Sequence, residues 1–286
     1  MNLFEAGANW PAPAKINLFL HITGRRSDGY HLLQTAFQFL DYGDQLSFQT
    51  HASGEINLSP PLAGVTTEEN LVWRAARRLQ QATKCSKGVD ITLEKKILAG
   101  GGLGGGSSDA ATTLVALNHL WQLQLSQTEL LELGLSLGAD LPVFILGEAA
   151  WAEGVGEKLT PISPDEPWYL VVHPGISVAT AEIFSSQELT RDCQAITIRA
   201  LNSGNTSNVC EAVVFNHYPA VKEVADWLSQ WSPARMSGTG ASVFAPFSER
   251  GEAEEVLAQV RSNWHGFVAR GVNRSPLLRR LEQARD

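Results

Sequence analysis

The chain has 286 residues, 44% of them hydrophobic and 18% charged, which is enough for two domains with cores of their own. Its formal net charge of −8 excludes the broad basic face that a nucleic acid polymer demands, but a small phosphate could still be met by Lys15, Arg25, Arg26, Lys95 and Lys96. No apolar run reaches membrane-span length, and the N-terminus carries Glu5 without the basic-then-apolar pattern of a leader. Three widely spaced cysteines, with no HxxxH pair, fit a reduced cytoplasmic protein without a protein-bound transition metal.

Residues 13–22 alternate as a strand, with Ile16, Leu18, Leu20 and Ile22 on one face and Lys15, Asn17, Phe19 and His21 on the other. A turn over 25–29 leads into strand-like segments at 32–40 and 45–49. A helix follows at 70–81, with Leu71, Ala75 and Leu79 on one stripe, and then a strand at 89–94. Beyond a glycine-rich loop at 100–108, helices are expected at 109–121 and 126–137, the second opened by Ser126 as N-cap and Glu129 as its capping-box partner. Three prolines within residues 160–167 mark a boundary near 160, dividing the chain into 1–160 and 161–286. The second part reads as strand 168–173, helix 220–231, a strand–turn–strand around Gly238-Thr239-Gly240, helix 251–263 and strand 266–272. That is the order of a split βαβ sandwich.

The loop Gly100-Gly101-Gly102-Leu103-Gly104-Gly105-Gly106-Ser107-Ser108 is the strongest chemical signal. Six glycines lack the Cβ that would hold a phosphate oxygen away from successive N–H groups, and the helix that follows presents its positive end. A flexible linker would share this composition, but the loop lies between a strand and an apolar helix, inside a domain. No Gly-Lys-Ser or Gly-Lys-Thr occurs, which excludes a Walker loop. Gly100, Gly102 and Gly105 satisfy GxGxxG, yet a second helical pattern follows where a dinucleotide fold needs a parallel strand. The His-Arg-Asp and Asp-Phe-Gly triplets of protein kinases are absent.

Asp140 stands among apolar neighbours, so it is either a functional carboxylate or an N-cap before Pro142. Lys15, in an otherwise uncharged strand, is either its partner or a snorkelling surface cation, and Asn17 shares its face. Tyr30 and His31 follow a glycine turn, where they could stack on a base or simply pack.

Three separated segments, Pro13-Ala14-Lys15-Ile16-Asn17-Leu18, the loop 100–108 and Ser237-Gly238-Thr239-Gly240-Ala241, together resemble the GHMP small-molecule kinases, named for galactose, homoserine, mevalonate and phosphomevalonate. Gly29-Tyr30-His31 ahead of Leu33-Gln34-Thr35, and the run Gly138 to Phe144, resemble the branch whose substrate carries cytidine diphosphate. The resemblance implies an α+β, two-domain GHMP-kinase architecture, with an N-terminal α/β nucleotide-binding domain and a C-terminal ferredoxin-like substrate domain. It implies ATP as phosphoryl donor, with Mg2+ but no assigned protein ligand for the metal. By the same resemblance Asp140 is the base and Lys15 its partner. ATP is met by Lys95, on the adenine side, and by Gly100, Gly101, Gly102, Leu103, Gly104, Gly105, Gly106, Ser107 and Ser108. The substrate is met by Asn17 and Thr180, with Tyr30 and Phe184 stacking on cytosine and His31 reading its edge. A GHMP kinase for a smaller alcohol, or a nucleotide-binding module without catalysis, remains open from sequence.

Overall fold

A computed structural model describes residues 9–62, 64–203 and 206–285. Strands β1 (Asn9–Arg25) and β2 (His31–His51) form a long hairpin, followed by β3 (Ile56–Ser59), α1 (Leu71–Thr83), β4 (Gly88–Glu94), α2 (Gly105–Leu120), α3 (Gln127–Leu137), α4 (Leu141–Leu146), β5 (Ala150–Gly154) and β6 (Lys158–Pro161). The remainder holds β7 (Trp168–His173), α5 (Thr180–Ser185), a 3-10 turn (Ile198–Ser203), α6 (Cys210–His217), α7 (Pro219–Leu228), β8 (Arg235–Met236), β9 (Val243–Phe247), α8 (Arg250–Leu257), β10 (His265–Val272) and α9 (Pro276–Gln283).

The hub is β2. Along one edge it pairs with β1, and along the other it meets β5, then β10, then β4. The two strands expected at 32–40 and 45–49 are therefore one. Gly43 makes this continuity possible: it pairs with Pro13, and an added Cβ would stand 2.2 Å from the Ala12 carbonyl oxygen, so no other residue fits that crossing.

In β1 the expected alternation breaks at a register shift between Asn17 and Phe19. One extra residue swaps the faces beyond it. Phe19 turns instead into a small cluster with Ala36 and Trp151, while Leu20 and Ile22 enter the core of the second half.

That second half carries strand order β10-β7-β9-β8, antiparallel throughout, which is the ferredoxin-like arrangement expected from the split βαβ order. Its core sets Leu170, Val172 and Val243 of the sheet against Val221, Val224 and Leu228 of α7 and Val256 of α8. The first half packs Leu114 and Leu117 of α2 on Val72, Ala75 and Leu79 of α1 and on Phe39, Leu46 and Ile91 of the sheet. Each fully buried Leu contributes roughly 1.5–3 kcal/mol over its exposed state. Val272 and Leu277, at the far end of the chain, return to this first core. A third cluster, Ala14, Ile16, Leu40, Ile97, Leu103, Tyr169, Val171 and Phe244, forms the seam between the halves. Leu103 of the glycine loop is pinned into that seam.

Candidate active site

Along the seam opens one cavity of about 1090 Å³, and every site residue expected from sequence lines it except Ser108. It draws Lys15 and Asn17 from β1, Tyr30 and His31 from the hairpin turn, the loop from Gly100 to Ser107, Asp140 from the start of α4, and Thr180 and Phe184 from α5.

The glycine loop is anchored by its carbonyls. Ala241 and Ser242 donate their N–H groups to Gly100 and Gly101 (3.0 and 3.1 Å), the Ser237 hydroxyl donates to Gly102 (2.9 Å), and the Lys15 N–H donates to Leu103 (3.0 Å). All three motifs noted in the sequence meet at these bonds. The Ser237 hydroxyl also accepts from the Asn17 N–H at 3.2 Å, tying β1 to the same point. Gly102 is obligatory here: φ is +73°, and an added Cβ would fall 2.0 Å from the Ser237 carbonyl oxygen.

Helix α2 starts at Gly105, four residues before the expected Asp109, with Gly104 as a left-handed cap at φ 72°. The unpaired N–H groups of its first turn therefore belong to the loop itself, where an anion is favoured. Ser108 lies one turn in and faces the sheet. Its hydroxyl is buried and donates to the Pro13 carbonyl at 2.7 Å, so its side chain closes the helix onto β1 and stands away from the cavity.

The Lys15 ammonium stands 3.6 Å from an Asp140 carboxylate oxygen, with the Lys15 side chain only 4% exposed and that of Asp140 43% exposed. Asn17 Oδ1 accepts from Lys15 Nζ at 2.7 Å, and Asn17 Nδ2 donates to Thr35 Oγ1 at 2.8 Å. A buried ammonium needs such partners. Asp140 occupies the N-cap position of α4 but makes no side-chain capping bond. Its carboxylate is thus free to face the cavity from beside a fixed cation. In sequence Thr35 and Ser237 carry no role beyond their place in the motifs; both are small hydroxyls whose role depends on which strand lies opposite.

Lys95 also lines the cavity, but its ammonium is held between Asp44 (2.5 Å) and Asp109 (2.8 Å). Burial pulls this ammonium down, and the Asp109 and Asp44 carboxylates more than offset it, leaving its pKa raised. Burial pushes the Asp109 carboxyl up to about 7, with Lys95 pulling the other way and Asp44 adding to the rise. A lone acid at the head of the apolar run Ala110 to Leu117 was the available sequence signal for this cluster.

At the opposite end, Tyr30 is 65% exposed, and the His31 ring stacks on Phe184 with centroids 5.3 Å apart. Arg25 Nε donates to the Gly29 carbonyl and the Tyr30 N–H to Asp28 Oδ1, which fixes the turn that carries both rings. The Thr180 and Thr239 hydroxyls meet at 2.9 Å and join α5 to the Gly-Thr-Gly turn. Among the described residues no group of three or more His, Cys, Asp or Glu could hold a metal ion, and no helix is long and apolar enough to cross a membrane.

A buried cation beside a cavity-facing carboxylate, next to a glycine cradle at a helix start, is the apparatus of a phosphoryl-transfer enzyme. Residues 70–148 match the family model for the GHMP kinases N terminal domain, and residues 191–266 match that for GHMP kinases C terminal. The chain belongs to the GHMP kinases and is an ATP-dependent small-molecule phosphotransferase. Among its relatives, a 4-diphosphocytidyl-2-C-methyl-D-erythritol kinase from Nitrosococcus oceani is 60% identical over 96% of this chain and 98% of that protein. A solved structure of 4-(cytidine 5'-diphospho)-2C-methyl-D-erythritol kinase, 33% identical, superposes with a TM-score of 0.81 over 92% of this chain and 98% of that one. Mevalonate kinase from Methanococcus jannaschii, 15% identical with a TM-score of 0.68 over 94% and 99% of the two chains, shares the fold. Catalysis, left open beside a simple binding module by the sequence, is thereby established.

Proposed function

We propose that this kinase transfers the γ-phosphoryl group of ATP to the 2-hydroxyl of 4-diphosphocytidyl-2-C-methyl-D-erythritol, a step in non-mevalonate isoprenoid precursor biosynthesis. The observation that carries the reading is that the Lys15–Asp140 pair lies in the same cavity as the glycine loop and the ring group Tyr30, His31 and Phe184. The names of the relatives support the same substrate.

In this reading Asp140 accepts the proton of the substrate 2-hydroxyl as the hydroxyl oxygen bonds to the γ-phosphorus and the bond from that phosphorus to the β,γ-bridging oxygen breaks, so that ADP leaves. Lys15, 3.6 Å from that carboxylate, faces the charge on the transferring group, and the proton transfer to Asp140 is of the kind worth about 10²- to 10⁴-fold in rate. Asn17 holds the ammonium in place through its 2.7 Å bond. The loop N–H groups and the start of α2 hold the phosphates, and Tyr30 and Phe184 hold cytosine between them while His31 reads its edge. With no carboxylate cluster for a resident metal among the described residues, Mg2+ fits as the counter-ion of the nucleotide, and Ser107 is the loop hydroxyl on the cavity side. Bound there, the ion would neutralise phosphate charge.

The test is ADP release with ATP, Mg2+ and a panel of alcohols. Turnover is expected with the cytidine diphosphate-bearing substrate and not with mevalonate or homoserine. The reverse pattern moves the assignment to a smaller-alcohol kinase.

A further inference from the structure

Arg191 does not line the cavity, yet it touches two of the residues that do. Its guanidinium donates from Nη1 to the Leu189 carbonyl (3.0 Å), from Nη2 to the Phe184 and Ser186 carbonyls (3.0 and 2.6 Å), and from Nε to His31 Nε2 (3.0 Å). Three carbonyls at and beyond the end of α5 fix the plane of the fork, so the direction of its Nε–H is set before any ligand arrives. A guanidinium has no acceptor atom. His31 Nε2 must therefore offer its lone pair, and in a neutral imidazole the proton then resides on Nδ1.

We infer that Arg191 is a positioning residue that holds His31 in the Nδ1–H tautomer and thereby sets the preference of this site for cytosine over uracil. The inference rests on the cytosine reading given above and deepens it. An Nδ1–H donor suits the N3 atom of cytosine, which is an acceptor, and opposes uracil, whose N3 carries a hydrogen. The other tautomer would reverse that preference. Leaving a buried donor facing a donor costs the full desolvation of the unpaired groups, which is how a small polar difference becomes strong discrimination. Arg191 also fixes the stacking surface, because the Phe184 whose carbonyl it binds is the residue whose ring lies on His31.

The electrostatic surroundings point the same way. Burial first, then the Arg191 and Arg25 cations, hold His31 below the ordinary histidine range. The nearby acid of the turn, Asp28, is engaged by Arg26 at 2.7 Å and by the Tyr30 N–H.

Two measurements decide the matter. Nitrogen-15 NMR of the His31 ring in the unaltered protein at neutral pH should show a protonated Nδ1 and an unprotonated Nε2, with a titration midpoint below the ordinary histidine value of about 6.5. Calorimetric titration with cytidine diphosphate and uridine diphosphate should show a strong preference for the former. In Arg191→Met that preference should fall at least about tenfold, equivalent to about 1.4 kcal/mol. His31 of the variant should titrate closer to the ordinary value, while the thermal shift given by ATP stays. A proton on Nε2, an ordinary titration in the unaltered protein, or an unchanged preference in Arg191→Met overturns the inference. The NMR arm needs no variant, so misfolding of Arg191→Met cannot shelter it. If the unaltered protein does not distinguish the two nucleotides, the cytosine reading itself fails and the specificity role falls with it, whereas the NMR result still judges the tautomer alone.

Discussion

The two ends of the cavity are built from different material. At the loop end the recognising surface is main chain: the carbonyls of Gly100, Gly101, Gly102 and Leu103 are bonded away to neighbouring elements, and the first turn of α2 contributes its N–H groups. At the other end the surface is side chain, Tyr30 on an exposed turn and His31 stacked on Phe184. On the proposed reading the loop end meets phosphate, which is the same in every nucleotide, so a rigid backbone cradle suffices, and its tolerance for substitution is set by space around glycines. On the same reading the other end meets a base, which is told from a base of similar size at its edge, so that end would depend on the orientation and protonation of individual rings. Damage to the first end should be steep and confined to ATP. Damage to the second should be graded and confined to the substrate.

The largest expected effect lies between the two ends. Asp140→Asn keeps the volume and removes the proposed base, so turnover should fall by about 10²- to 10⁴-fold while both ligands still bind. Single-turnover kinetics beside calorimetry would show this; near-normal turnover with chemistry limiting would remove Asp140 from its assigned role.

Gly104→Val attacks the loop end. Its φ of +72° strains a branched residue, and the added Cβ would stand 2.7 Å from the Phe144 ring and 3.1 Å from Lys15 Cε. The thermal stabilisation given by ATP should be largely lost, and that given by cytidine diphosphate largely kept. Loss of both in equal measure would mean the fold itself had failed, and the separation of the two ends with it.

The smallest effect is expected from Tyr30→Ala, about 1–3 kcal/mol in substrate affinity, the usual range for one lost base stack. ATP affinity should not change. Titration of the variant with each ligand checks both halves, and a matching loss for ATP would contradict the division drawn here.

Much of the site was legible because its signals are local. The glycine run declares its conformational freedom in its own composition, Ser126 and Glu129 form the capping box their spacing predicts, and Lys15 and Asn17 fall on one face because side chains in a strand alternate. The ferredoxin-like order of the second half follows equally from element sequence and the short turn at Gly238-Thr239-Gly240.

Other features depend on contacts between segments far apart in the chain, and no local pattern encodes them. The bulge after Asn17 sends Phe19 away from the face it was expected to share with Lys15 and is fixed by pairing with β2. Ser108 looked like a phosphate ligand until helix α2, starting four residues early, turned its hydroxyl to Pro13. Lys95 is offered by the sequence as a cation for a nucleotide, and the fold adds what no local pattern shows, Asp44 and Asp109 meeting it from two other elements.

By itself the sequence determined the strongly patterned elements, such as β1, α1, β4, α3 and β7, and the glycine-rich loop before α2, since each follows from backbone preference and spacing over a few residues. Only the tertiary structure put Ser237 under the loop and Arg191 behind His31, and it gave the Lys15–Asp140 pairing implied by the family resemblance its 3.6 Å geometry. Side-chain direction at those points is set by hydrogen bonds and packing between segments far apart in the chain, which no local pattern encodes.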